Sequence, residues 1–127
     1  MKQDPIKKSH AAVIYTRIAS DAPGEGDAAH FAQEQRCLEH AGAMGHDIVS
    51  AFRDTGSGFT AARPGLNAML TFLRERDGAP CRVLVTDLSR LTRDCGVQFQ
   101  LLERLRDAGA WLEIADAERE TEEARKR

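Results

Sequence analysis

Four arginines and one aspartate are the residues in this chain best suited to chemistry. Arg17, Asp54 and the pair Arg90 and Arg93 each stand at or just after the end of a short apolar run, and Arg63 opens the segment after Asp54. Arginines brought together repel one another unless an anion sits among them. A guanidinium fork matches a phosphate through two hydrogen bonds, a fit that lysine does not reproduce. The chemistry such a cluster points to is phosphate binding or phosphoryl transfer. A nucleotide P-loop is excluded, because no G-x-x-x-x-G-K-S/T segment occurs. A dinucleotide fingerprint is incomplete: Gly24 and Gly26 stand close together, but the third glycine is missing. His30, His40 and His46 lie on or beside one helical segment at offsets of ten and six, not at ligand spacing, and are read as facing solvent. No metal and no cofactor are expected, so arginines alone would offset the phosphate charge.

Positioning those residues requires strands and helices in alternation. Ala11 to Ile18 is apolar and β-branched and reads as a buried strand, with Arg17 near its end. Asp21 to Asp27 reads as a loop by its Pro and Gly content. A helix fits Ala28 to Met44, with Phe31, Gln35, Leu38 and Ala41 on one face and Gly45 as its stop. Asp47 to Arg53 alternates as a second strand and leads into the Asp54–Ala62 loop, which carries Ser57 and Gly58. A second helix starts near Arg63 with Pro64 in its first turn, and Leu66, Met69, Leu70 and Leu73 form its apolar stripe. Arg82 to Thr86 reads as a central parallel strand. Asp87 to Arg93 is the loop after it. A third helix follows with Val97, Leu101, Leu102 and Leu105 on one face and Gly109 beyond its end. Trp111 to Ala115 is a fourth strand.

This alternation predicts an α/β fold: a three-layer sandwich with a mostly parallel sheet of four to five strands and helices on both faces. In such sheets the functional crevice lies outside the C-terminal strand ends. That edge is where Arg17, Asp54, Arg90 and Arg93 would meet, with Arg63 pointing the same way.

The 127 residues, 42% of them hydrophobic, fit one domain. Residues 1–10 read as a flexible tail, 11–116 as the folded unit, and 117–127 as a polar helical tail without an apolar stripe. A net charge of −2 excludes a globally basic nucleic-acid binder and leaves a local arginine cluster as the route to such a role. Cys37, Cys81 and Cys95 show no metal spacing and read as free thiols in a reducing compartment. With no signal peptide and no run near the ~20 apolar residues of a membrane span, a cytoplasmic protein without a membrane partner is expected.

The same residues resemble a known family. Tyr15-Thr16-Arg17 is similar to the Y-x-R-x-S signature of the serine site-specific recombinases, the resolvases and invertases. Asp54-x-x-Ser57-Gly58 followed by Arg63-Pro64-Gly65-Leu66 resembles their D-x-x-S-G…R-P-G-L segment, and Ser89-Arg90-Leu91-Thr92-Arg93 their D-R-L-x-R segment. Gln35 stands where the family often has a glutamine. The order and separation of these segments agree with the family across roughly Ala11 to Asp116. The resemblance implies a catalytic domain that exchanges DNA strands through a phosphoserine link to DNA, without a nucleotide cofactor. It implies that Arg17, Arg63, Arg90 and Arg93 hold the scissile phosphate and that Asp54 orients them. It further implies that Tyr15, Gln35 and Ser57 line the substrate site. DNA and a second copy of the chain are the implied partners, as a homodimer that becomes a tetramer during strand exchange.

Two departures bear on function. The nucleophilic serine of Y-x-R-x-S falls at Ala19, and Ser20 comes next. Three readings compete: a degenerate, impaired paralogue; a chain that uses Ser20 from a shifted loop; or an active sequence mutated to trap a state. Ser89 also replaces the family's aspartate, and Phe72 stands near a usual lysine. The family's long helix and DNA-binding domain do not fit in the few residues after Asp116, so DNA affinity is expected to be weak, in an excised domain or a natural short form. The alternative function is a non-catalytic interaction or regulatory module that keeps the fold and dimerises.

Overall fold

A computed structural model describes residues 10–18, 26–56, 63–76, 79–87 and 95–115, without the side chains of residues 95, 97 and 98. Seven elements follow in order: β1 (His10–Ile18), α1 (Gly26–Met44), β2 (His46–Thr55), α2 (Pro64–Glu75), β3 (Cys81–Val85), α3 (Cys95–Asp107) and β4 (Ala110–Ile114). The strands form one sheet in the order β2-β1-β3-β4, and every pairing is parallel. Helices cover both faces, as the alternating pattern predicts. β1 and β3 are central, and this is why they are nearly continuous apolar runs. His10, placed in the tail by its sequence context, opens β1 opposite His46.

One face of the sheet packs on α2 and α3. Val13, Tyr15, Val83 and Val85 meet Leu66, Met69, Leu70 and Leu73 of α2 and Leu101 and Leu105 of α3. Each buried Leu or Met here contributes about 1.5–3 kcal/mol by leaving water. Leu102, expected on the apolar face of α3, is 36% exposed instead. Gly45 and Gly109, the expected helix stops, follow α1 and α3 with φ of 77° and 81°, the left-handed geometry that closes a helix.

The other face packs on α1, and of the residues that its apolar spacing suggested only Ala41 faces inward. Phe31 and Leu38 are 57% and 42% exposed. The buried residues are His30, Gln33, Cys37, His40 and Ala41. Beneath them lie Ala12, Ile14 and Leu84. This sheet face mixes Ile14 and Leu84 with Ala12 and Thr16, and the helix turns its small and hydrogen-bonding side toward it.

β2 changes phase partway along. Ala12 pairs with Ile48, but Val13 pairs with Ser50, so Val49 is an extra residue bulged out of the ladder. Before the bulge Ile48 faces α1, and after it Phe52 packs with the α2 side. A strand alternates faces with a period of two, so one inserted residue moves every later side chain across the sheet. The bulge therefore delivers Asp54 to the face on which α2 begins.

Candidate active site

Asp54 builds the site. It stands one residue before the end of β2, beside Arg17 of β1, and is 5% exposed. Its Oδ1 accepts the Gly65 N–H at 2.7 Å and its Oδ2 the Leu66 N–H at 2.8 Å. These are N–H groups of the first turn of α2, which have no partner inside the helix. Arg63 precedes the helix and has no side-chain acceptor, so a carboxylate from another element caps it. Pro64 at the helix start needs no partner for its nitrogen. The fit is close: a Cβ on Gly65 would collide with the Arg53 carbonyl and stand 3.0 Å from the Asp54 Cγ. This gives a structural reason for glycine in Arg63-Pro64-Gly65-Leu66.

The second oxygen of Asp54 also accepts the Tyr15 hydroxyl at 2.7 Å. That hydroxyl in turn accepts Arg63 Nη2 at 2.7 Å, and the Arg63 guanidinium stands 5.5 Å from the Tyr15 ring centre. Asp54, Tyr15 and Arg63 thus form one chain of hydrogen bonds, and the aspartate is linked to the arginine through the phenol. Burial first, and the bond to Asp54 second, hold the Tyr15 hydroxyl far above its ordinary pKa, so it remains a neutral donor.

Arg17 is 3% exposed and donates from Nη1 to the Gly56 carbonyl at 2.8 Å. Its backbone is held from α1. Gln33 Oε1 accepts the Arg17 N–H at 3.3 Å and Gln33 Nε2 donates to the Arg17 carbonyl at 3.1 Å. His30, one turn earlier, meets Thr16 Oγ1 at 2.6 Å through Nδ1 and Thr55 Oγ1 at 3.5 Å through Nε2. Burial, followed by the charge of Arg53, lowers the His30 pKa and favours the neutral ring. Two side chains of one helix therefore fix where β1 delivers Arg17.

The structure brings Arg17, Asp54, Arg63 and Tyr15 to the C-terminal edge of the central strands. Gln35 is exposed on α1, about 200° around the helix from Gln33. Ala19, Ser20, Ser57, Arg90 and Arg93 lie outside the described residues. His30 and Gln33 are the site residues that sequence reasoning missed. The histidines read as facing solvent are buried: His30 is 4%, His40 6% and His46 9% exposed. A detectable signal was present, since 30, 33, 37, 40 and 41 form a helical stripe free of Asp, Glu, Lys and Arg. Among the described residues, no helix is long and apolar enough to cross a membrane.

Residues 12–127 match the family profile described as Resolvase, N terminal domain. No curated sequence matches significantly. Among solved structures, the chain is similar to the C-terminal catalytic domain of ISC1926 TnpA, an IS607-like serine recombinase. The two share 28% identity at a TM-score of 0.71, over 83% of this chain and 70% of that one. A resolvase family site-specific recombinase from Streptococcus pneumoniae is 25% identical at a TM-score of 0.69, over 85% and 73% of the two chains. The N-terminal catalytic domain of TP901-1 integrase shares the fold, with 23% identity and a TM-score of 0.67 over 84% and 77%. With the motif-bearing Arg17, Asp54 and Arg63 gathered on one sheet edge and the family profile spanning nearly the whole length, this chain belongs to the resolvase family of serine recombinases and matches its N-terminal catalytic domain.

Proposed function

We propose that this domain is a resolvase/invertase-type strand-exchange domain that holds a DNA phosphate with Arg17, Arg63, Arg90 and Arg93 and cleaves it weakly, because Ala19 replaces the nucleophile. The observation that carries this reading is the pair of buried guanidinium groups, Arg17 and Arg63, joined to the sheet edge through Gly56, Tyr15 and Asp54. Burying a charge is costly unless it is paired and hydrogen-bonded. A fold that holds two arginines at one edge in this way is organised for an anion. Preplaced cations of this kind stabilise the charge that spreads over phosphate oxygens in the transition state.

In the full reaction a serine oxygen bonds to phosphorus while the bond from phosphorus to the 3′-oxygen breaks. The hydroxyl proton leaves the serine and a proton ends on the deoxyribose 3′-oxygen. The serine ester conserves the phosphoester for rejoining in new partners. DNA and a second copy of this chain are the partners this function requires. Contacts to phosphate fix position and carry little sequence information, so this edge alone gives weak, sequence-tolerant binding.

A nicked suicide duplex tests the reading. Arg17→Ala and Arg63→Ala should each weaken DNA binding, and denaturing gels should show at most a trace of covalent protein–DNA adduct. A strong adduct that disappears in Ser20→Ala would overturn impairment and make Ser20 the nucleophile. DNA affinity unchanged by both arginine substitutions, with dimerisation intact, would identify an interaction module instead. Ala19 is the observation that favours this second reading.

A further inference from the structure

A second group of reactive side chains lies on the α1 face, at the other end of β2. His46 is the first residue of β2 and Asp54 is near its last, eight residues on, so roughly 25 Å of strand separates the two regions. His40 comes from the last part of α1 and Glu113 from β4. His40 Nε2 stands 2.6 Å and His46 Nε2 2.9 Å from the same oxygen, Glu113 Oε2. The potential ligand atoms of all three residues lie within 4.8 Å of one another. The side chains are 6%, 3% and 17% exposed.

We propose that His40, His46 and Glu113 form a structural binding site for one divalent transition-metal ion of the zinc class. Two imidazole nitrogens and one carboxylate oxygen are a donor set that this ion accepts. In a tetrahedral site with bonds near 2.0–2.1 Å the donors stand about 3.3 Å apart. The two observed separations are shorter by about 0.7 and 0.4 Å, so an ion enters by moving Glu113 Oε2 back from both rings by about that much.

The surroundings fit a cation. Arg82 Nη1 bonds the other carboxylate oxygen, Oε1, which leaves Oε2 to face both rings and fixes the carboxylate as an outer-shell partner does. The last turn of α1 carries no basic residue to complement the negative end of the helix dipole. Glu113 is the most exposed of the three, so water reaches the cluster and completes the coordination. β2 and β4 are the two outer strands, and His46 and Glu113 bring their side chains together across the face of β1 and β3. An ion here would tie both outer strands and the end of α1 to one point, far from the arginine edge.

Titration calorimetry of the tag-free, EDTA-stripped chain with ZnCl2 tests the proposal, together with absorption spectroscopy of the Co2+ form. The expected result is one ion per chain at micromolar Kd or tighter. The Co2+ spectrum should be four-coordinate and lack a thiolate charge-transfer band, which separates this site from Cys37, Cys81 and Cys95. Glu113→Gln and His40→Gln should each weaken binding by about 100-fold or more, and His30→Gln should leave it unchanged. No saturable binding below millimolar Zn2+ would overturn the proposal, as would binding that survives in the His40→Gln/His46→Gln double variant. If that variant does not fold by circular dichroism, the wild-type Co2+ spectrum decides, and a six-coordinate or thiolate spectrum overturns the proposal. None of these readouts depends on DNA cleavage, so the site and the proposed function can fail separately.

Discussion

The two faces of the sheet hold their helices by different physics. On the side of α2 and α3, adhesion is apolar area: Val13, Val83 and Val85 against Met69, Leu70, Leu73 and Leu105. On the side of α1 the sheet still contributes Ile14 and Leu84, but the helix itself buries only small apolar residues, Cys37 and Ala41. The rest is hydrogen bonds: Thr16 to His30, Arg17 to Gln33, Arg53 to Glu34 and Glu113 to His40. Apolar area is non-directional and indifferent to pH. A hydrogen bond contributes only about 1 kcal/mol net, but it fixes one register and can titrate. The comparison teaches that α1 is held to one register by directional bonds to a degree that the apolar stripe of α2 is not. Specificity is what Arg17 needs, since Gln33 grips its peptide from α1.

The largest expected effect breaks the apolar side. Leu70→Ala should lower unfolding stability by about 2–5 kcal/mol in urea titrations, because it removes buried area and leaves a cavity. Asp54→Ala should come next, at about 2–4 kcal/mol. It removes the cap of α2 and leaves the Gly65 and Leu66 N–H groups and the Tyr15 hydroxyl without their acceptor. It should also release Arg63, and so reduce DNA affinity more than Leu70→Ala does at a temperature where both variants are folded.

His30→Gln sharpens the contrast through pH. The folded pKa of His30 is lowered, so the unfolded chain takes up this proton first as pH falls. Stability contributed by the neutral ring is then present above the unfolded pKa of about 6.5 and declines below it. The substitution should flatten the stability curve just below pH 6.5 and cost about 1 kcal/mol at pH 8. Leu70→Ala should shift the curve without changing its shape. The smallest effect belongs to Arg53→Ala. Its paired bonds to Glu34 at 2.8 and 2.9 Å are exposed, so about 0.2–1 kcal/mol is expected, shrinking in high salt.

The same contrast explains what the sequence made legible. Strands β1 and β3 and helix α2 follow from apolar runs and an apolar stripe, because area holds them. The meeting of Arg17, Asp54 and Arg63 follows from parallel strand ends and the order of the motifs. The inner face of α1 does not follow. Its apolar residues Phe31 and Leu38 face outward, and hydrophobic periodicity cannot rank a stripe of His, Gln, Cys and Ala. Gln33 therefore escaped notice while Gln35 was favoured. The convergence of His40 and His46 on Glu113 was equally hidden, because it joins positions 67 and 73 residues apart. The bulge at Val49 left no mark either, since it shows only once Ile48 and Ser50 are seen against adjacent residues of β1.

The strand order also sets a timetable. β1 leaves the ribosome first, yet its residues Ala12 to Ile14 need partners on both sides, from β2 and from β3. The first partner is complete at Thr55 and the second only at Val85, thirty residues later. At about 5–20 residues per second, one edge of the central strand stays open for roughly 2–6 s of synthesis. Until then the nascent chain carries an unpaired strand of Val, Ile and Tyr, the kind of edge on which neighbouring chains aggregate. The buried strand that carries Arg17 is thus the one whose second edge waits longest for its partner after the first is made.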